Sequence, residues 1–289
     1  HSEDWNRGDY KSRHNHRNQF SRLGLERDGY TYYDLLLQIA RAAEINGFNG
    51  LFIPQSNNGE EPQIVAGALA RETKRINFIV SLPTALLSAV YSAKIANSFQ
   101  RLSNGRLQWH LHHAPVHEPA WHGQSWSLTA QLERSDEFLQ LTKGFWEKAP
   151  FSFEGKYFLV ENGGFAKALQ GPKHPLVYLD GLSDEAKSLS ARRADIHILS
   201  AAPLDILAKQ IADLRSHAER YGRQLKIFIS AEIVARHSEA SAWEELQQPK
   251  PSHCIRALHL YKTNTSQRCK AMNAYGRDLI CYARVRRLA

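Results

Sequence analysis

Ile76-Asn77-Phe78-Ile79-Val80-Ser81-Leu82 is an apolar run, and beyond it, past Ser103-Asn104-Gly105, comes a second, Leu107-Gln108-Trp109-His110-Leu111-His112-His113. Between the two, residues 86 to 102 repeat apolar side chains at helical spacing and stop at the Asn-Gly turn. A short apolar strand, an amphipathic helix and another strand is the unit from which parallel sheets are built.

The same unit recurs on both sides. Upstream, Leu35, Leu36, Ile39, Ala42 and Ala43 give a helix from Tyr32 to Asn46 with Gly47 as its stop. The strand Gly50-Leu51-Phe52-Ile53-Pro54 and a helix near Glu61–Glu72 follow it. Downstream the pattern gives a helix from Thr129 to Lys148, a β-hairpin over Phe151–Glu161, and a strand at Leu176–Leu179 that leads into Gly181-Leu182-Ser183-Asp184 and a helix. The strand Ile196–Ser200, the helix Leu204–Tyr221 and the strand Lys226–Arg236 complete the series. Six strands with helical patterns after them predict an α/β fold of the TIM type. Eight strands close such a (β/α)8 barrel, so the one expected here is incomplete, with the hairpin as an insertion.

Residues 1–30 read as a polar arm, 31–247 as the barrel domain and 248–289 as an atypical basic tail, within which Asp278–Val285 could form an edge strand. The formal charge of +8 belongs to that tail. From Lys250 onward nine Lys or Arg stand against the single acid Asp278, leaving 28 basic and 28 acidic residues before it. A neutral main body argues against a nucleic-acid partner. Cys254, Cys269, Cys281 and the only methionine, Met272, also lie in the tail, in no disulfide or zinc spacing. With mean hydropathy −0.47 and no long apolar run, no membrane-spanning helix is expected, and the opening His1-Ser2-Glu3-Asp4 is not a secretory signal. A reduced, cytoplasmic setting is the expectation.

Three groups of residues could carry chemistry. Gly181-Leu182-Ser183 lies past a strand's carboxyl end and opens a helix, where unpaired amides and the positive helix end favour a phosphate. The same residues also fit an ordinary helix cap, with Ser183 as the N-cap. His110, His112, His113, His117 and His122 are the densest histidine group in the chain. His110 and His112 share one strand face and His113 the other. They could line a polar cavity, or His110 and His112 could hold a metal with help from Asp180 or Glu232. Glu232, in the apolar strand Ile227–Ala235, is either a general base or half of an ion pair. Phe52, Trp109, Trp121, Trp126 and Tyr178 add flat apolar surface suited to a heterocycle, with core filling the default for Phe52 and Trp109.

Several stretches together resemble the bacterial-luciferase-like flavin monooxygenases, in particular the alkanesulfonate monooxygenase branch. They are Ile39-Ala40-Arg41-Ala42-Ala43-Glu44 with Gly47-Phe48, Leu51-Phe52-Ile53-Pro54, Arg101-Leu102-Ser103-Asn104-Gly105-Arg106, Glu133-Arg134-Ser135-Asp136-Glu137-Phe138, Phe153-Glu154-Gly155-Lys156-Tyr157, and Pro175 through Asp184. The resemblance implies a barrel with insertions that binds reduced FMN from a separate NAD(P)H-dependent flavin reductase. With O2 it would oxidise an alkanesulfonate or another small organic substrate. It implies phosphate contacts at Gly181 and Ser183 and places His110 and His113 beside the flavin; Leu182 and His112 join these as candidate cofactor contacts, and His113 and Glu232 are the candidate catalytic residues. A homo-oligomer is expected to cover the open sheet edge. The chain departs from the branch at Gly59, where a Cys is usual, at Leu132 for a Tyr, at His113 for a Thr or Ser, and at Ser230 and Glu232 for an Arg and a His. A metal-dependent hydrolase built on His110 and His112, and a flavin-binding relative that has lost turnover, are the alternatives.

Overall fold

A computed structural model describes residues 31–55, 60–113, 126–165, 172–232, 238, 240, 243 and 279–284. The polar arm, Gly59, the loop carrying His117, Trp121 and His122, and most of the tail lie outside them. By contacts the chain forms two compact units, one up to Val177 and the other from Tyr178 onward.

In the first unit, α1 (Tyr32–Ile45) begins at a capping box in which Thr31 and Asp34 bond each other's side chains and amides. Gly47 follows its end at φ +78°, a backbone that suits glycine. Then come β1 (Gly50–Ile53), α2 (Pro62–Glu72), β2 (Asn77–Pro83), α3 (Ala89–Ser103), β3 (Leu107–His112) and α4 (Leu128–Glu147). The three strands are parallel, with β2 between β1 and β3 and Ser81 level with His110. β4 (Phe151–Glu154) and β5 (Leu159–Gly163) form the expected antiparallel hairpin.

Alternation sorts the two faces of β3. Trp109 is fully buried, 6.0 Å from the Phe138 ring of α4 and 5.3 Å from His174, so its face is covered by a helix. Trp109 is therefore core and not a platform for a ligand. His110 points the other way, with Phe52 edge-on to its ring at 5.2 Å.

The second unit runs β6 (Leu176–Asp180, entered at Val177), α5 (Asp184–Arg193), β7 (Ile196–Ser200), α6 (Leu204–Glu219), β8 (Lys226–Glu232) and β9 (Leu279–Arg284). These strands are parallel in the order β6, β7, β8, β9. Leu199, Ile211, Leu214, Ile227 and Ile229 form a core between strands and α6. Tyr178 and Phe228 meet edge-on at 5.6 Å on the opposite strand face.

The α/β class is the one expected. All six strands found in the sequence are present, and β9 adds a seventh inside the Asp278–Val285 stretch. The described part of β8 stops at Glu232, short of the Arg236 expected. Seven parallel strands among the described residues is one fewer than a closed barrel requires.

Candidate functional site

The residues that brace the frame are charged and hold backbone. Arg106, buried after the αL pair Asn104 and Gly105, donates to the carbonyls of Ser103 (2.8 Å), Ile76 (3.3 Å) and Ala70 (2.6 Å) and to Thr73 Oγ1 (2.9 Å). One guanidinium thus ties the end of α2, the start of β2 and the end of α3 together. Glu44 accepts from the amides of Lys74 (2.9 Å), Arg75 (2.5 Å) and Ile76 (3.0 Å), and these bonds hold its carboxyl below the usual range. Glu137 on α4 takes the amides of Lys156 (2.8 Å), Tyr157 (2.8 Å) and Phe158 (3.2 Å) at the hairpin tip. A Cβ on Gly155 would lie 2.6 Å from the Glu137 carboxyl carbon, so a larger residue there would have to push the carboxylate aside.

At the carboxyl ends of the strands the polar groups bond one another instead. His110 is buried, and its Nδ1 lies 3.1 Å from Ser81 Oγ on the adjacent strand. His112, half-buried, follows on the same face by alternation. His113, just past the strand, turns toward α4, where its Nε2 is 3.0 Å from Ser135 Oγ. Ser135 Oγ in turn lies 2.7 Å from Thr84 Oγ1, beyond the end of β2. His110 and His113 therefore serve different neighbourhoods although three positions apart, as their placement on opposite strand faces requires.

Past β6, Gly181 has φ +106°, and a Cβ there would stand 2.9 Å from the Ala186 Cβ. The turn is thus closed to any residue but glycine. Ser183 is the N-cap of α5, its Oγ accepting from the Ala186 amide at 3.2 Å, which is the capping role the sequence allowed. Its oxygen is engaged as an acceptor, and among the described residues the amides of Asp184 and Glu185 at the helix's positive end have no acceptor. Asp184 is held ionised by Lys187 Nζ at 2.7 Å, and Lys187 also reaches Asp213 at 2.7 Å. Leu182 is exposed.

Glu232 closes β8 in register with Arg284 of β9; its side chain lies outside the described residues. Trp126 packs edge-on against Tyr157 of the hairpin at 5.6 Å. Tyr178, pushed up to about 12 chiefly by burial, keeps its phenol proton at neutral pH. Among the described residues no group of three His, Cys, Asp or Glu side chains could hold a metal ion, and no helix is long and apolar enough to cross a membrane.

Ser81, Thr84 and Ser135 were not singled out by sequence reasoning. Each carried a signal: Ser81 interrupts the apolar run of β2, Thr84 follows Pro83 at its end, and Ser135 lies on the apolar stripe of α4 with Leu132, Phe138 and Leu139. A small hydroxyl on a buried face is spare polarity that must find a partner.

A family model described as luciferase-like monooxygenase matches residues 18–280. Among solved structures, riboflavin lyase (RcaE) with modified FMN and riboflavin is 20% identical, covering 77% of this chain and 61% of its own, with TM-score 0.69. EDTA monooxygenase (EmoA) from Chelativorans sp. BNC1 is 22% identical, with 84% and 63% covered and TM-score 0.64. An F420-dependent secondary alcohol dehydrogenase in complex with an F420-acetone adduct is 15% identical, with 88% and 89% covered and TM-score 0.69. At these identities the likeness shows the fold, that of an incomplete (β/α)8-type barrel. The chain spans about three fifths of the length of the lyase and of the EDTA monooxygenase.

Proposed function

The chain belongs to the luciferase-like monooxygenase family, and from that premise we propose that it is the oxygenating component of a two-component system. It takes reduced FMN from a separate NAD(P)H-dependent flavin reductase and uses O2 to oxidise a small organic substrate, an alkanesulfonate or a compound like it. Bound reduced FMN would supply the two electrons that activate oxygen.

The observation that carries this reading is the β6–α5 turn. Gly181 leaves no room for a side chain, the amides of Asp184 and Glu185 lack acceptors among the described residues, and Lys187 offsets the Asp184 charge. That donor set suits a phosphate dianion. In this reading Gly181, Leu182 and Ser183 line the phosphate, Ser183 through its amide and through its hydroxyl proton, since the cap uses that oxygen only as an acceptor. His110 and His112 contact the flavin ring, and His113 and Glu232 act on the reacting groups. The riboflavin lyase with its modified FMN supports a flavin on this frame. A homo-oligomer and a cytoplasmic setting belong to the same proposal.

Fluorescence titration separates the outcomes. FMN and reduced FMN should each quench saturably, and Ser183→Asp, which keeps a good N-cap while adding a negative charge, should abolish quenching without unfolding α5. Saturable binding of F420 with none of FMN would overturn the FMN assignment, a comparison the alcohol dehydrogenase makes necessary. Release of sulfite from an alkanesulfonate, with NADH and an added reductase, tests the substrate class.

A further inference from the structure

Two buried hydroxyls beside His113 have no part in the reading so far. Ser135 and Thr84 are both fully buried, with 2.7 Å between their oxygens, and Ser135 Oγ is 3.0 Å from His113 Nε2. Each hydroxyl has one proton and can donate once. In one direction Thr84 donates to Ser135 and Ser135 donates to Nε2. In the other, Nε2–H donates to Ser135, Ser135 donates to Thr84, and the Thr84 proton needs a further acceptor. Among the described residues the only hydrogen-bond partner of Thr84 Oγ1 is Ser135 Oγ. A buried donor without an acceptor gives up its hydration for nothing, so the first direction wins. The Nε2 lone pair is then occupied, and the proton of a neutral His113 ring must sit on Nδ1.

We propose that Thr84 and Ser135 are positioning residues that hold His113 as the neutral Nδ1–H tautomer, with its Nε2 lone pair engaged by the Ser135 hydroxyl and so not available to act as a base. The proposal deepens the reading of His113 as a residue acting beside the flavin, and its role in catalysis rests on that reading; the tautomer does not. A base acting through Nε2 would have to displace the Ser135 proton, and one acting through Nδ1 would have to lose its own.

The test is the 15N spectrum of the full chain labelled at histidine, without flavin, at a pH where the ring is neutral, with His113 assigned by its loss in His113→Gln. The expected result is a protonated-type Nδ1 and an unprotonated-type Nε2, well separated in shift. Ser135→Ala and Thr84→Val should each bring the two shifts toward a common average, and Ser135→Thr should restore the separation. Should Ser135→Ala fail to fold, Thr84→Val carries the same prediction alone. A wild-type ring protonated at Nε2, or one whose shifts ignore both substitutions, overturns the proposal. FMN titration of the same samples reads the flavin assignment separately, because either result can fail while the other stands.

Discussion

Two regions of the same β/α frame use polar side chains in different ways. Around Arg106, Glu44 and Glu137 a charged group fastens three main-chain groups, carbonyls of separate elements at Arg106 and three consecutive amides at Glu44 and at Glu137. At the end of β3 the partners are side chains bonded to side chains, imidazole to hydroxyl and hydroxyl to hydroxyl. The first arrangement fixes where the chain goes. The second fixes proton positions and leaves the backbone alone. Of the motifs that carry the family resemblance, Leu102 to Arg106 supplies the Arg106 brace, and Glu133 to Phe138 supplies both the Glu137 latch and Ser135 of the strand-end group.

Removing a brace should therefore cost the most. Arg106→Met keeps the volume but strips donors from three carbonyls and Thr73, and unfolding by urea should show a loss of about 3 to 4 kcal/mol. A loss near zero would mean that the guanidinium is ornamental and that the contrast between the regions is false.

His197 sharpens the contrast from the other side of a strand. It is fully buried, facing α5, with Nδ1 2.8 Å from Ser190 Oγ, and burial lowers its pKa to about 4. Asp180 opposes that shift and Lys187 adds to it. Between about pH 6.5 and 4 the unfolded chain binds a proton here that the folded chain refuses, so stability is fully present above that window and falls as pH drops through it. The span corresponds to about 3 kcal/mol. In His197→Gln the pH dependence of the urea midpoint should flatten over that range; an unchanged slope would place the titration elsewhere.

Glu137→Ala frees the hairpin tip, with an expected loss of about 2 kcal/mol and faster amide exchange at Lys156, Tyr157 and Phe158 but not in β2 or β3. Exchange that rises throughout would show that the latch holds the whole sheet. Smallest is Ser183→Ala, about 1 kcal/mol for a lost N-cap, against almost none for Ser183→Asp. Equal losses in the two variants would deny the cap.

The frame was legible because its signals are local. Apolar runs and helical periods gave six strands in order, and positive-φ turns at Gly47, Gly105 and Gly222 fell where glycine stood. The flat rings were harder. Trp109 is core because Phe138 and His174 cover it, and a strand's period cannot say which face a helix will cover. The strand-end relay was invisible for a related reason: Thr84, His113 and Ser135 come from three elements and meet only when β2, β3 and α4 pack. Ser183 was visible as a position but open in role, since capping and phosphate binding ask for the same residue at the same place. The structure shows the cap.

The central claim is that the turn past Asp180 receives the phosphate of FMN. A crystal of the protein soaked with FMN tests it most directly. The account predicts phosphate density against the amides of Asp184 and Glu185, with Ser183 Oγ still on the Ala186 amide. Ordered FMN whose phosphate lies anywhere else, or a turn that stays empty at saturating flavin, would contradict it.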